Sequence, residues 1–297
     1  MFLGDYRIEI IPDAEFRLDG GAMFGVVPRV LWEKVCPPDE LNRIQLNMNC
    51  LFVETPGEKI LIETGIGEKW TAKQTANYGI FRAKPFAQTL YEKTGRTPGD
   101  ITIVVNTHLH FDHAGGNTVN SGQWSVVGDQ KLSSTDRRTL SAEHCCAQFP
   151  NARYFVSRSE FEHAENPSER DRASYLPENW RPLAESGQLE LKPDEYEVVE
   201  GLTVQKIRGH SETMQTWKLS RGGETLYGFA DLIPTAAHLP MAWIMGYDLY
   251  PVETLEAKKR LIPQAVEENW ICLFYHDFAT PLCRLTEKDG KIRAIAV

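Results

Sequence analysis

The sequence lacks the marks of several protein classes. Its six cysteines, Cys36, Cys50, Cys145, Cys146, Cys272 and Cys283, form no CxxC pair in 297 residues, which argues against a thiolate zinc knot and a disulfide framework. Cys272 sits in an apolar run where a thiol serves as a small hydrophobe. There is no dense block of Lys and Arg: 32 basic against 41 acidic residues leave a net charge of −9, without the basic footprint that a phosphate backbone requires. No apolar run is long enough to span a bilayer, and Asp5, Glu9 and Asp13 stand where a secretion signal would place basic and then apolar residues. Short-period repeats are absent as well. These absences predict a soluble, cytoplasmic protein with neither a nucleic-acid nor a membrane partner.

What is present is a globular composition, 42% hydrophobic and 25% charged. Two apolar runs, Leu51 to Glu54 and Lys59 to Glu63, flank a Pro-Gly turn and predict a hairpin. A helix should start near Pro85, with Phe86, Leu90 and Tyr91 on one face, and stop before Gly95. Ile101 to Val105 reads as a strand buried on both faces. The polar stretch of about 129–190, with helical pieces around Ser159–Glu165 and Pro167–Tyr175, reads as a solvated helical cap. Strand patterns return in GLTVQKIRGH and in a hairpin around Gly222-Gly223. They are followed by a helix from about Val252, interrupted at Pro263, and by the strand WICLFYHD. Both halves place a hairpin before a helix and a buried strand, which suggests an α/β protein of two sheet-and-helix layers packed face to face.

The chemistry lies after the buried strand, in Asn106-Thr107-His108-Leu109-His110-Phe111-Asp112-His113-Ala114-Gly115-Gly116-Asn117. Three imidazoles and a carboxylate within six positions exceed any structural need. In a loop leaving a strand, His108 and His110 can converge on one side while Asp112 and His113 turn to the other, so one segment can feed two adjacent ions. Imidazole with carboxylate and no thiolate favours a catalytic site for zinc or a similar divalent metal. His210, Asp231 and His276 each stand where a strand-like run meets a loop, the position from which a rigid backbone presents functional groups.

The run HLHFDHAGGN at 108–117, with His210, Asp231 and His276 following in that order, resembles the metallo-β-lactamase fold superfamily. Together with FPNARYFV at 149–156 and the long segment after Asp231, it is similar to the branch of N-acyl-homoserine lactonases and methyl-parathion-type hydrolases. The resemblance implies an αββα sandwich in a single domain over 1–297, with the site at the edge of its two sheets. It implies that His108, His110 and His210 hold one metal, that Asp112, His113 and His276 hold a second, and that Asp231 bridges them. Two departures stand out. Glu63-Thr64-Gly65 replaces the usual Asp-Thr-Gly, with Glu63 expected to orient ligands by hydrogen bonding, and Pro234 occupies the place of the lactonase tyrosine.

Two zinc ions ~3.5–4 Å apart could share a water, lower its pKa and polarise a substrate carbonyl or phosphoryl oxygen. The expectation is therefore a hydrolase of small ester-like substrates, lactones first, with aryl esters and phosphotriesters as promiscuous ones. Asp112 and His238 are the candidates for moving a proton to the leaving group, His238 because imidazole titrates near neutrality. Met23, Phe24 and Trp32, with Met241 and Trp243, are the candidate apolar wall of the substrate pocket. Alternatives are a thioester hydrolase of the glyoxalase II kind, a β-lactamase-like amide hydrolase and a metal-bearing sensory protein that binds without turnover. The lactonase branch also suggests a homodimer.

Overall fold

The structure, a computed structural model, describes residues 1–121 and 145–297. Strands β1 (Phe2–Leu3), β2 (Tyr6–Asp19), β3 (Arg43–Glu54), β4 (Lys59–Ile62) and β5 (Ile103–Val105) open the first sheet. A short pair, β6 (Thr118–Asn120) and β7 (Cys145–Ala147), stands apart from it. With β8 (Arg153–Ser157) and β9 (Leu189–Lys192) the first sheet has the order β1-β2-β3-β4-β5-β8-β9. The second sheet runs in sequence order through β10 (Glu195–Val199), β11 (Leu202–Lys206), β12 (Gln215–Arg221), β13 (Glu224–Gly228), β14 (Ile271–Leu273), β15 (Leu282–Lys288) and β16 (Lys291–Ala296). Helices flank the sheets, giving the α/β sandwich. Among the described residues no helix is long and apolar enough to cross a membrane.

Burial explains the strand types. Along β3, Ile44, Leu46 and Met48 alternate inward, and then every residue from Asn49 to Val53 is buried, as expected of a strand that passes from a half-exposed edge to the centre of a sandwich. The parallel strands β4 and β5 are short and, after Lys59, apolar, with Ile60, Leu61, Ile62, Ile103, Val104 and Val105 each at most 1% exposed. One core unites Phe16, Leu46 and Phe52 of the first sheet with Trp217, Phe229 and Leu285 of the second half. Asn49 also spans both halves, its amide donating to the backbone oxygens of Tyr275 and Asp277.

Several expectations change. The 51–54/59–63 hairpin, the helix Phe86–Thr94 closed by Gly95, and the hairpin around Gly222-Gly223 are present. The buried strand begins at Ile103, and only Ile271–Leu273 of WICLFYHD is strand. The cap reading fails where it meets the sheet: Arg153–Ser157 and Leu189–Lys192 are strands of the first sheet, and 129–144 lies outside the described residues. Of the expected helix at 167–175, a single 3-10 turn, Arg172–Ser174, forms. The helix Pro251–Glu267 runs through Pro263 without interruption. Its apolar stripe of Ala257, Leu261, Ile262 and Ala265 stays buried, while Pro263 faces solvent, where water can satisfy the carbonyl it leaves unpaired.

β2, which has no clean period-2 signal, pairs with β3 along its length except at a register shift between Pro12 and Glu15. That bulge carries the buried Asp13. Arg82 Nη2 lies 2.8 and 2.9 Å from the two Asp13 oxygens and also donates to the Gly67 carbonyl, while Ile66 N–H donates to Asp13 Oδ2 at 2.8 Å. Burial pushes the Asp13 carboxyl up, and Arg82 works against that shift. The pair therefore pins Gly65–Gly67, the segment against which the histidine-rich loop packs.

Replacing Arg82 with Met should strand a buried carboxylate and cost about 3–5 kcal/mol, read as a lower urea midpoint at unchanged slope. The double variant Asp13→Asn/Arg82→Met should recover part of the loss. Equal losses in the two variants would show that the buried charge is not the cause.

Candidate metal centre

All the predicted ligands leave the C-terminal ends of strands, and the strands that supply them within each sheet run in one direction. In the first sheet β4, β5 and β8 are parallel, and β5 leads into the histidine-rich loop. In the second, β11 and β13 share a direction because each is antiparallel to β12, and β14 is parallel to β13. His210, Asp231 and His276 follow these three strands. This is the end of an α/β sheet at which ligands are usually bound. His108 follows β5, His110 is in extended conformation, and the helical turn Phe111–Ala114 then carries Asp112 and His113. The loop fits because its glycines allow backbone to meet backbone: a Cβ on Gly115 would lie 2.2 Å from the Ile66 oxygen, and one on Gly116 2.2 Å from the Thr64 oxygen.

The structure brings all seven residues together, buried, in two groups whose candidate ligand atoms lie within 4.8 Å of one another: His108, His110 and His210, and Asp112, His113, Asp231 and His276. Asp231 faces both. Its Oδ1 is 3.1 Å from His113 Nε2 and 3.0 Å from His276 Nε2, and its Oδ2 is 3.6 Å from His210 Nε2. Asp112 Oδ2 stands 3.5 Å from His276 Nε2, and the facing nitrogens His210 Nε2 and His110 Nδ1 are 3.1 Å apart.

Hydrogen bonds on the far sides of the rings select the tautomers. His276 Nδ1–H donates to the Asn47 carbonyl at 3.1 Å, and His210 Nδ1–H to Asp248 Oδ1 at 3.1 Å. Asp248 is held in turn by the Thr254 hydroxyl at 2.7 Å. The single Thr107 hydroxyl proton goes to Glu63 Oε1, so Thr107 accepts from His108 Nδ1–H at 3.0 Å. Each arrangement leaves an Nε2 lone pair for the centre of the site. Glu63 is fully buried at a left-handed φ of 64°. Besides Thr107, it accepts from Asn106 Nδ2 at 3.3 Å, and it lies 3.4 Å from His113 Nδ1.

The donor set fits cations. His108 Nε2 and His110 Nε2 are buried without a hydrogen-bond partner, a costly state that a bound metal ion would relieve. Burial drives His108 and His110 well below the usual imidazole range, with neighbouring imidazoles adding to the shift, so both remain neutral donors. Burial opposes charge on His113 as well, but Asp231, Glu63 and Asp112 outweigh it and raise His113 well above that range. Burial likewise favours a neutral Asp231, yet His276 and His113 pull it well below the usual carboxylate value. The site thus concentrates acceptors and negative charge that call for positive counterparts, in a donor set suited to zinc-like ions.

The remaining candidates sit elsewhere. Both ring nitrogens of His238 are engaged: the Thr235 hydroxyl lies 2.8 Å from Nδ1, and Nε2 is 2.9 Å from the Met23 carbonyl. Burial holds its pKa down to about 4, so His238 is a neutral anchor, with no free nitrogen for the expected proton transfer. Phe24 stacks on His238 at 4.6 Å and on Trp32 at 5.3 Å, with Trp243 edge-on at 5.6 Å. Met23, Phe24 and Trp32 are 1%, 0% and 1% exposed, so they form core and not a pocket surface, whereas Met241 and Trp243 keep partial exposure. Pro234 accepts from His276 N–H at 3.0 Å. Asp277 caps the neighbouring turns, accepting from the N–H groups of Ala236, Ala279 and Thr280.

Sequence reasoning missed Asp248, Thr107 and Lys258. Thr107 adjoins the motif and could have been read as a polar orienter there. Asp248 lies 38 residues from His210, with no local pattern linking the two. Buried Lys258 donates to the carbonyls of His238, Pro240 and Trp243 at 2.7, 2.8 and 2.9 Å, and looks in sequence like any helical lysine.

Comparison with known proteins matches this geometry. The family model described as the metallo-beta-lactamase superfamily matches residues 44–127, a span that includes the histidine-rich loop. An N-acyl homoserine lactonase of Bacillus thuringiensis is 25% identical over 254 residues, 79% of this chain and 82% of that protein. For the Bacillus cereus enzyme of the same name the match is 25% over 130 residues, 41% of this chain and about half, 51%, of that protein's length. Among solved structures, AidC, a dizinc quorum-quenching lactonase with a bound product, shares the fold at 20% identity and a TM-score of 0.74, covering 100% of this chain and 96% of that one. A probable metal-dependent hydrolase from Staphylococcus aureus is 30% identical with a TM-score of 0.85, covering 100% of this chain and 99% of that one. With that relative matched from end to end and the family model spanning the ligand-bearing loop, the chain belongs to the metallo-beta-lactamase superfamily.

Proposed function

We propose that the protein is a dinuclear zinc hydrolase that opens ester-like bonds of small molecules, with lactones as the preferred class. The carrying observation is Asp231, whose two oxygens face two separate donor groups, an arrangement suited to a pair of ions. When bound, two such ions would supply an activated water and polarise the scissile carbonyl. The chain's own residues do the rest. His108, His210 and His276 are held in one tautomer by Thr107, Asp248 and the Asn47 carbonyl. Asp112, whose Oδ2 lies 3.5 Å from His276 Nε2, carries the proton to the leaving oxygen. Met241 and Trp243 offer the partly exposed apolar surface for the remainder of the substrate. The relatives named as lactonases favour lactones within this class.

The purified chain should take up two equivalents of zinc and turn over lactones faster than aryl esters, phosphotriesters, thioesters or β-lactams, with activity lost on chelation. His113→Ala should lower kcat/KM more than the ~10–100-fold typical of an outer hydrogen-bond partner. No turnover across this panel by the zinc-loaded protein would overturn the hydrolase reading, and preference for another member would reassign the substrate.

A neutral anchor at position 238 has its own signature. The folded state resists protonating His238 until about pH 4, against 6.5 for the ordinary group, so the unfolded chain takes up the proton first and stability falls as pH drops through that window. The difference is worth about 3 kcal/mol. His238→Gln should flatten this part of the stability curve while leaving the shape of the pH–rate profile unchanged. Loss of a limb of that profile would restore His238 as the proton carrier.

A further inference from the structure

Glu160 belongs to none of the donor groups, yet it is fully buried beside them. It lies in the first turn of the helix Arg158–Glu165, where the Ser157 hydroxyl at the end of β8 accepts from Glu160 N–H at 3.1 Å. One carboxylate oxygen, Oε1, accepts from Leu109 N–H at 2.7 Å, the peptide between His108 and His110. The other, Oε2, accepts from the Thr213 hydroxyl in the loop just after His210. Tyr175 adds a third donor at 3.2 Å, and its ring packs edge-on against His110 at 4.7 Å.

We propose that Glu160 is a positioning residue that sets the distance between the loop of His108 and His110 and the loop of His210, and so holds the three-histidine half of the site at metal-binding geometry. The inference rests on the dinuclear reading above. A backbone bond from Gln215 N–H to the Thr107 carbonyl at 2.9 Å joins the roots of the two loops. Glu160 joins them further out, next to the ligands themselves. The other half has separate supports: Thr64 N–H to the His113 carbonyl at 2.9 Å, and, for His276, the carbonyls of Asn47 and Pro234. Removing Glu160 should therefore loosen one half and spare the other. Burying a carboxylate whose direct partners are two hydroxyls and a peptide N–H is costly where an apolar residue could fill the space. What the carboxylate adds is two oxygens aimed at two different loops.

The test is zinc titration of the chelated full-length chain against a chromophoric chelator, for wild type, Glu160→Met, Glu160→Gln and Thr213→Ala. Wild type should bind two equivalents. Glu160→Met, of similar volume, should keep one at wild-type affinity and bind the other ~10–100-fold more weakly. Thr213→Ala should weaken the same equivalent. Glu160→Gln keeps an acceptor for Leu109 and should stay within a few-fold of wild type. Adding His210→Ala to Glu160→Met should cause no loss beyond that of His210→Ala alone, which identifies the affected half.

Unchanged affinities in Glu160→Met, or equal weakening of both equivalents in a variant with wild-type circular dichroism, would overturn the proposal. Should Glu160→Met fail to fold, unchanged affinities in Thr213→Ala would overturn it. Fewer than two equivalents in the wild type would instead sink the dinuclear reading, and this inference with it.

Discussion

A carboxylate buried where two sheets meet is the feature around which the molecule is arranged. Asp231 has given up water, and in that setting an ionised carboxylate survives only against positive or strongly donating neighbours. Its neighbours are imidazoles from three other segments, reached by the loop after β5 and by the chain after β11 and β14. Holding them there requires rigid strand ends, which β5 and β14 provide by being short, apolar and buried. Ala230, directly before Asp231, sits at φ 47°, so the turn that delivers the carboxylate carries backbone strain of the kind stored at functional sites.

The same demand explains how the loop 106–117 packs on Thr64–Gly67. Thr64 donates its N–H and hydroxyl to the His113 carbonyl and Asn117 Oδ1, while Asn117 Nδ2 donates to Asn106 Oδ1. These buried polar groups satisfy one another, so the loop needs no water to be stable. The glycines follow from that closeness, since any Cβ at 115 or 116 would strike a carbonyl oxygen. Asp13 and Arg82 complete the support from the far side, at the cost of a desolvated ion pair.

The dense part of this design is legible in sequence. Ligands separated by one or two residues fall on a strand end and a single helical turn, so local geometry decides where they point, and Gly115-Gly116 marks the close approach. His210, Asp231 and His276 are recognisable because each ends an apolar run. What could not be read is set by tertiary contact alone. Glu160 looks like one more charge in an acidic, polar stretch, and Phe24 like a residue of a glycine-rich loop. Only the fold shows that Phe24 is sandwiched between Trp32 and His238, or that Arg153–Ser157 threads the first sheet in place of capping it. The continuous helix through Pro263 is a case of packing overriding a local signal, because the buried stripe outweighs one lost exposed hydrogen bond.

The helix Pro251–Glu267 links the candidate metal ligands to the partly exposed 241–243 segment through two residues one turn apart. Thr254 fixes Asp248, which fixes His210, while Lys258 gathers the carbonyls of His238, Pro240 and Trp243. Positions four apart lie on one helical face, so a single rigid surface sets both the orientation of a ligand and the path of the 238–243 segment. Burial pulls the Lys258 ammonium down to about 7, so its three carbonyl partners are what keep the clamp worth its desolvation. Between the clamps, Met241, Ala242 and Trp243 remain at least partly exposed. Substitutions at those three positions can reshape this exposed segment without moving His210, because the constraints on that imidazole run through Asp248 and Thr254.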